Sequence, residues 1–122
     1  RHGRGRVLSV CYALIAAGIV LLALPWLGAM ALGIALVTFG FFGGHSVASS
    51  WVGSRAGSSR AEASALYLFA YYLGSSVLGA LGGLAYTAWD WTGVCIATGA
   101  LTLLGAAIAG RLWRHPAMQR QP

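Results

Sequence analysis

The chain has 122 residues, 58% of them hydrophobic and 8% charged, with mean hydropathy +0.74, net charge +6 and an isoelectric point near 10.2. A water-soluble domain carries about 25% charged residues, so this composition excludes one and makes the lipid bilayer the main solvent. The basic residues are dispersed over separate segments with no basic helix or aromatic-basic patch, which argues against nucleic acid as a partner.

Residues 1–122 read as a single membrane unit with four apolar runs. The first covers about 7–24 and follows Arg1, Arg4 and Arg6. It is mostly Leu, Ile, Val, Ala and Gly, with Ser9, Cys11 and Tyr12 near its start. A run of about 18 apolar residues is long enough to span a bilayer, so the basic start is not that of a cleaved signal peptide. The chain begins at Arg1 with no initiator Met, and it reads as a fragment that starts in a cytoplasmic loop. Pro25-Trp26 ends the run: proline disfavours helix at the residue before it, and tryptophan suits the head-group level.

The second run covers about 27–52, long enough that it must tilt or bend. Gly40, Gly43 and Gly44 weaken its second half and invite a kink or a close helix contact. The segment from Gly53 to Ala63 is small and polar and carries Arg55 and Arg60. Within it, Ser59-Arg60-Ala61-Glu62 has the spacing of a helix-starting capping box. The third run, about 64–86, opens with Tyr67, Phe69, Tyr71 and Tyr72. It then presents Ser75, Gly79 and Gly83 at four-residue spacing, a ladder that lets a neighbouring helix approach its backbone. Trp89-Asp90-Trp91 marks another boundary with water. The fourth run, about 92–110, is closed by Arg111 and Arg114, and Arg120 lies in the tail.

All eight basic residues are arginines, and all fall on one side of this alternating pattern. The connections at Pro25-Trp26 and Trp89-Asp90-Trp91 carry none. Short arginine-bearing loops stay in the cytoplasm, so both ends of the segment are expected there. The first and fourth runs, nearly featureless, are expected to face lipid and the second and third to lie inside.

His45 is the ionisable side chain well inside a run, roughly 10 Å from the end at Val52 by helical rise. An ionisable group at depth is costly and by default marks a substrate path or proton relay, and imidazole changes charge near neutral pH. The alternative is a neutral histidine hydrogen-bonded between helices. Thr38, His45 and Ser49 share one helix face, with Phe41 beside it, and together suggest the wall of a polar cavity. The hydroxyls could instead bond their own backbone carbonyls. Gly40 and Gly44 fall on a different face and read as a packing seam. Catalysis has no basis: there is no nucleophile elbow, and Glu62 and Asp90 sit near opposite membrane faces. Only one run carries a histidine, so haem ligation is not expected. Cys11 and Cys95 have the spacing of neither a disulfide framework nor a metal site. No metal or other cofactor is expected.

The segments Gly40-Phe-Phe-Gly-Gly-His-Ser-Val-Ala-Ser-Ser-Trp-Val-Gly53 and Ala65-Leu-Tyr-Leu-Phe-Ala-Tyr-Tyr-Leu-Gly-Ser-Ser-Val-Leu-Gly79 resemble the tenth and eleventh helices of bacterial major facilitator superfamily permeases of the inner-membrane efflux type. Arg1-His2-Gly3-Arg4 resembles the end of the arginine-rich loop motif before the ninth helix in that family, without its acidic part. The resemblance covers almost the whole chain. It implies an all-α polytopic protein whose four transmembrane helices are the ninth to twelfth, part of the C-terminal six-helix half of a twelve-helix transporter. It further implies alternating access by rocking of two halves, proton-coupled efflux of a small molecule, a tenth helix on the central cavity, and the missing N-terminal helices as partners. Thr38, Phe41, His45 and Ser49 would line the path, and Arg1, Gly3 and Arg4 would form the stump of the cytoplasmic loop motif.

Two other readings stay open. A complete four-helix multidrug exporter fits the length, but its first run would need an embedded carboxylate, which is absent here. A non-transporting four-span anchor or accessory subunit would need only packing. The coding region upstream of Arg1 separates the three. The four runs alone are not expected to form a stable unit, because the cavity face of the second would meet lipid.

Overall fold

The computed structural model describes the backbone of residues 3–114 and the side chains of residues 6–111. Arg1 and the side chain of Arg4 lie outside the described residues, and of Gly3 only its place at a helix start is described. The described chain is all-helical: α1 (Gly3–Leu22), α2 (Leu27–Arg55) and α3 (Arg60–Arg114).

The connections follow from local chemistry. Near the end of α1 the Leu24 amide bonds the Leu21 carbonyl at 3.1 Å, a tightened 3₁₀-type turn, and Pro25 then prevents continuation. Trp26 is extended (φ −135°, ψ 123°) and its carbonyl accepts the Met30 amide at 3.0 Å to open α2. Past the end of α2, Gly57 takes φ +54°, a left-handed conformation suited to glycine after a helix. The Ser59 carbonyl then accepts the Ala63 amide at 3.0 Å, which starts α3 at the capping-box position.

A straight helix of 55 residues would be about 80 Å long. α3 is instead broken at Trp89 (φ −141°, ψ 23°) and Asp90 (φ 52°, ψ −150°) into arms 60–88 and 91–114. The arms meet at once: a Cβ on buried Gly93 would stand 2.5 Å from the Ala85 carbonyl oxygen. The first arm runs antiparallel to α2, with Tyr67 beside His45 and Tyr71 beside Phe41. The second runs antiparallel to α1, placing Trp91 at Leu22, Gly99 at Ile19 and Gly105 at Tyr12. Chain direction therefore alternates from one segment to the next.

α1 and α2 pack most closely. A Cβ on Gly40 would come within 2.6 Å of the Cys11 carbonyl oxygen, and one on Gly44 within 3.7 Å of the Cys11 Cβ. The glycine seam of α2 thus meets α1, and α1 is not a bystander exposed only to lipid, as the run's bland composition suggested. Further along the same pair of helices, Gly18 on α1 approaches Gly33 on α2. The ladder on α3 differs. Gly79 and Gly83 have nothing within 4 Å of their Cβ positions. Ser75 is exposed, with its hydroxyl donating to the Tyr72 carbonyl at 2.9 Å.

Among the described residues the buried hydrophobic side chains are Cys11, Ile19 and Ala29, while Leu27 is 81% and Phe39 75% exposed. Such a surface has no stable arrangement in water and an ordinary one in lipid. Hydroxyls avoid the hydrocarbon by bonding carbonyls of their own helix, as Thr98 does to Val94 and Thr102 to Thr98, both at 2.8 Å. α2 and the Arg60–Arg111 stretch of α3 are each long and apolar enough to cross a membrane.

Candidate functional site: an aromatic cleft around His45

All four helical segments contribute to a cleft of about 1150 Å³. Arg6, Cys11 and Tyr12 come from α1, and Phe41, His45 and Trp51 from α2. Tyr67 and Tyr71 come from the first arm of α3, Ala106, Ala109 and Gly110 from the second. Arg6, Trp51 and Gly110 share this wall, so the ends next to Arg55 and Arg111 converge at one end of the bundle with Arg6. Arg6 is the charged residue of the described lining, and no carboxylate joins it.

His45 is half-buried within a box of rings. Phe41 stacks on it at 5.9 Å with an interplanar angle of 18°, and Tyr67 and Tyr71 lie at 5.4 and 4.9 Å between centroids. Nδ1 of His45 hydrogen-bonds the Tyr67 hydroxyl at 2.9 Å, and the same hydroxyl lies 3.5 Å from the His45 carbonyl oxygen. Arg55 stands over the Trp51 ring at 5.4 Å, a cation–π contact at the cleft's outer edge.

The structure separates the residues that the sequence grouped. Phe41 and His45 line the cleft, and so does the seam pair Gly40 and Gly44. Thr38 is exposed and Ser49 donates to the Ser46 carbonyl at 3.2 Å, and neither is part of the lining. On the α2 and α3 side of the cleft the polar groups are His45 and the two tyrosines of α3, facing Arg6, Ser9 and Tyr12 of α1 in the same lining. Tyr67 is the residue that sequence reasoning passed over. A positional signal did exist: His45 and Tyr67 stand eleven residues either side of Ala56, and Phe41 and Tyr71 fifteen. In an antiparallel helical pair, equal distance from the loop means equal height. No group of three or more potential metal ligands occurs among the described residues.

In sequence the chain is similar to bacterial transport proteins. The chain is 46% identical over 118 residues to the MFS-type transporter YybF of Bacillus subtilis, across 97% of this chain and 29% of YybF. The chain is homologous to part of a major facilitator-type transporter. It is also 46% identical over 76 residues to the inner membrane transport protein YnfM of Escherichia coli, covering 62% of this chain and 18% of YnfM. A transporter of Buchnera aphidicola from Schizaphis graminum shares 35% identity over 94 residues, 77% of this chain and 23% of that protein. The chain thus spans less than a third of the length of the curated relatives it matches. No family model and no solved structure matches it. The relatives are transport proteins, and the apolar helices fit a membrane protein.

Proposed function

We propose that this chain supplies four membrane-crossing helices, the ninth to twelfth, to a major facilitator transporter that exports a small molecule in exchange for protons. The observation that carries the reading is the cleft itself: an ionisable residue inside an apolar helix, enclosed by rings, in a chain homologous to transporters. The break at Trp89–Asp90 supports two crossings in α3, since each arm is longer than the hydrocarbon core of about 30 Å. The shared end of Arg6, Arg55 and Arg111 is assigned to the cytoplasm by the positive-inside rule, which puts the mouth of the cleft on that side of the inner membrane. On this reading the open ladder of Ser75, Gly79 and Gly83 receives helices from the rest of the transporter. Arg1, Gly3 and Arg4 are the end of its cytoplasmic loop motif, with Gly3 and Arg4 already opening α1.

The test uses everted inner-membrane vesicles containing the full-length transporter and a dye that reports the pH gradient. Addition of a transported compound is expected to release part of the gradient, and vesicles carrying His45→Ala to release far less. If a broad panel of small molecules gives neither accumulation nor gradient release, proton-coupled export is wrong.

A further inference from the structure

The hydrogen bond between His45 and Tyr67 decides which way the imidazole presents itself to the cleft. A phenol has one proton to donate. It can go to Nδ1 at 2.9 Å or to the His45 carbonyl oxygen at 3.5 Å. Hydroxyl donors prefer distances of about 2.7–2.8 Å to oxygen, and a contact at 3.5 Å is at the limit of bonding. The phenol proton therefore belongs on Nδ1 while the ring is neutral, and Nε2 must then carry the ring's hydrogen. When the ring is protonated, Nδ1–H donates to the Tyr67 oxygen and the phenol proton turns toward the carbonyl. No heavy atom needs to move, and Nε2 still carries a hydrogen. Tyr67 thus makes Nε2 a donor in both charge states.

The surroundings add to this one-sided character. Besides His45, the titratable or charged groups in the described lining of the cleft are Tyr67 and Tyr71 from α3 and Arg6, Cys11 and Tyr12 from α1, and the second arm of α3 brings only Ala106, Ala109 and Gly110 to it. None is a carboxylate. Phe41 and Tyr71 pack against the His45 ring, and Trp51, with Arg55 over its ring, adds aromatic surface to the same lining. A cation would meet a fixed N–H donor and a guanidinium with no counter-charge in this wall. A flat apolar body bearing an acceptor would meet rings and donors.

We infer that the His45 cleft is a binding subsite for aromatic carboxylates, whose oxygen accepts the Nε2–H bond that Tyr67 enforces. Tyr67 is a positioning residue, acting through His45. The inference rests on the transporter reading for the origin of the ligand, but its test does not require transport.

The full-length protein, labelled with ¹⁵N-histidine and held in lipid, is examined by solid-state NMR, with His45→Gln assigning the signal by subtraction. The probes are benzoate and benzylammonium, which share a ring and differ in charge. In its neutral form His45 is expected as the Nε2–H tautomer. Benzoate should shift the Nε2 resonance and benzylammonium should not. Tyr67→Phe should mix the tautomers and weaken the benzoate response by the fraction of rings that leave the Nε2–H form, about twofold for an even mixture. A wild-type Nδ1–H tautomer overturns the inference without any variant being needed. So does a response to benzylammonium equal to that to benzoate, or a response to neither. A benzoate shift in a protein that releases no proton gradient with any compound leaves the subsite standing and removes the exporter reading. Gradient release driven by cations, with no benzoate shift, does the reverse.

Discussion

Gly18 and Gly33 face each other backbone to backbone: a Cβ on Gly18 would stand 2.7 Å from the Gly33 carbonyl oxygen, and a Cβ on Gly33 2.8 Å from that of Gly18. Neither clash can be relieved by rotating a side chain, because the obstacle is main chain. In lipid, where helix association depends on packing, such a contact holds α1 to α2. Gly18→Leu or Gly33→Leu is therefore expected to push the helices apart and cost about 1–3 kcal/mol, read as a lower thermal midpoint of the purified full-length transporter. Gly57→Asn, in the open loop where left-handed backbone is tolerated by Asn, is the control. It should leave the midpoint nearly unchanged.

The Trp91 indole N–H donates to the Leu22 carbonyl at 2.7 Å, linking the start of the second arm of α3 to the end of α1. Leu22 is the last residue of its helix, so its carbonyl has no partner within it. The aromatic girdle that the sequence suggested thus also caps a helix. Trp91→Phe keeps the ring and removes the donor. A loss of about 1 kcal/mol is expected, with faster proteolysis at the Pro25-Trp26 connection than in wild type. Equal stability and equal cleavage would show that head-group water replaces the bond.

Asp90 holds φ 52° and ψ −150°, a region in which a side chain is strained. Such residues cost of order 1–3 kcal/mol. Asp90→Gly is expected to relieve the strain and raise the thermal midpoint. Asp90→Val, branched at Cβ, should lower it. If glycine at this position is destabilising instead, the carboxylate has a stabilising role at the boundary that outweighs its backbone strain.

The architecture was largely legible because lipid imposes simple rules. Apolar run length, the proline before Trp26 and the charge asymmetry mark the helices and turns without reference to packing. The break in α3 was legible too, since Trp89-Asp90-Trp91 interrupts an apolar stretch too long for one crossing. The site was only half legible. His45 stood out as an ionisable residue among apolar ones, and Phe41 lay one turn away on its own helix. Tyr67 is on another helix, and tyrosine is common at membrane boundaries, so composition did not single it out. Thr38 and Ser49 matched His45 in helical phase, but phase says nothing of where a hydroxyl finds its acceptor. The Ser46 carbonyl was nearer for Ser49 than any cavity. The glycine seams were visible as small-residue spacings on both α2 and α3, yet Gly40 and Gly44 of α2 meet Cys11 of α1 while Gly79 and Gly83 of α3 have nothing within 4 Å of their Cβ positions.

His45 provides the sharpest functional prediction. It is the histidine of the described lining, and imidazole is the side-chain type best suited to pass a proton near neutral pH. His45→Gln keeps a polar side chain of similar reach and cannot titrate in that range. Proton-linked release of the pH gradient is expected to lose its dependence on pH in this variant, with any remaining flux flat across the range. Tyr67→Phe should behave differently, retaining the pH dependence of release, because the imidazole that passes the proton is still present. Loss of flux in both variants with the wild-type pH profile preserved would mean that the pair shapes the cleft and takes no part in coupling.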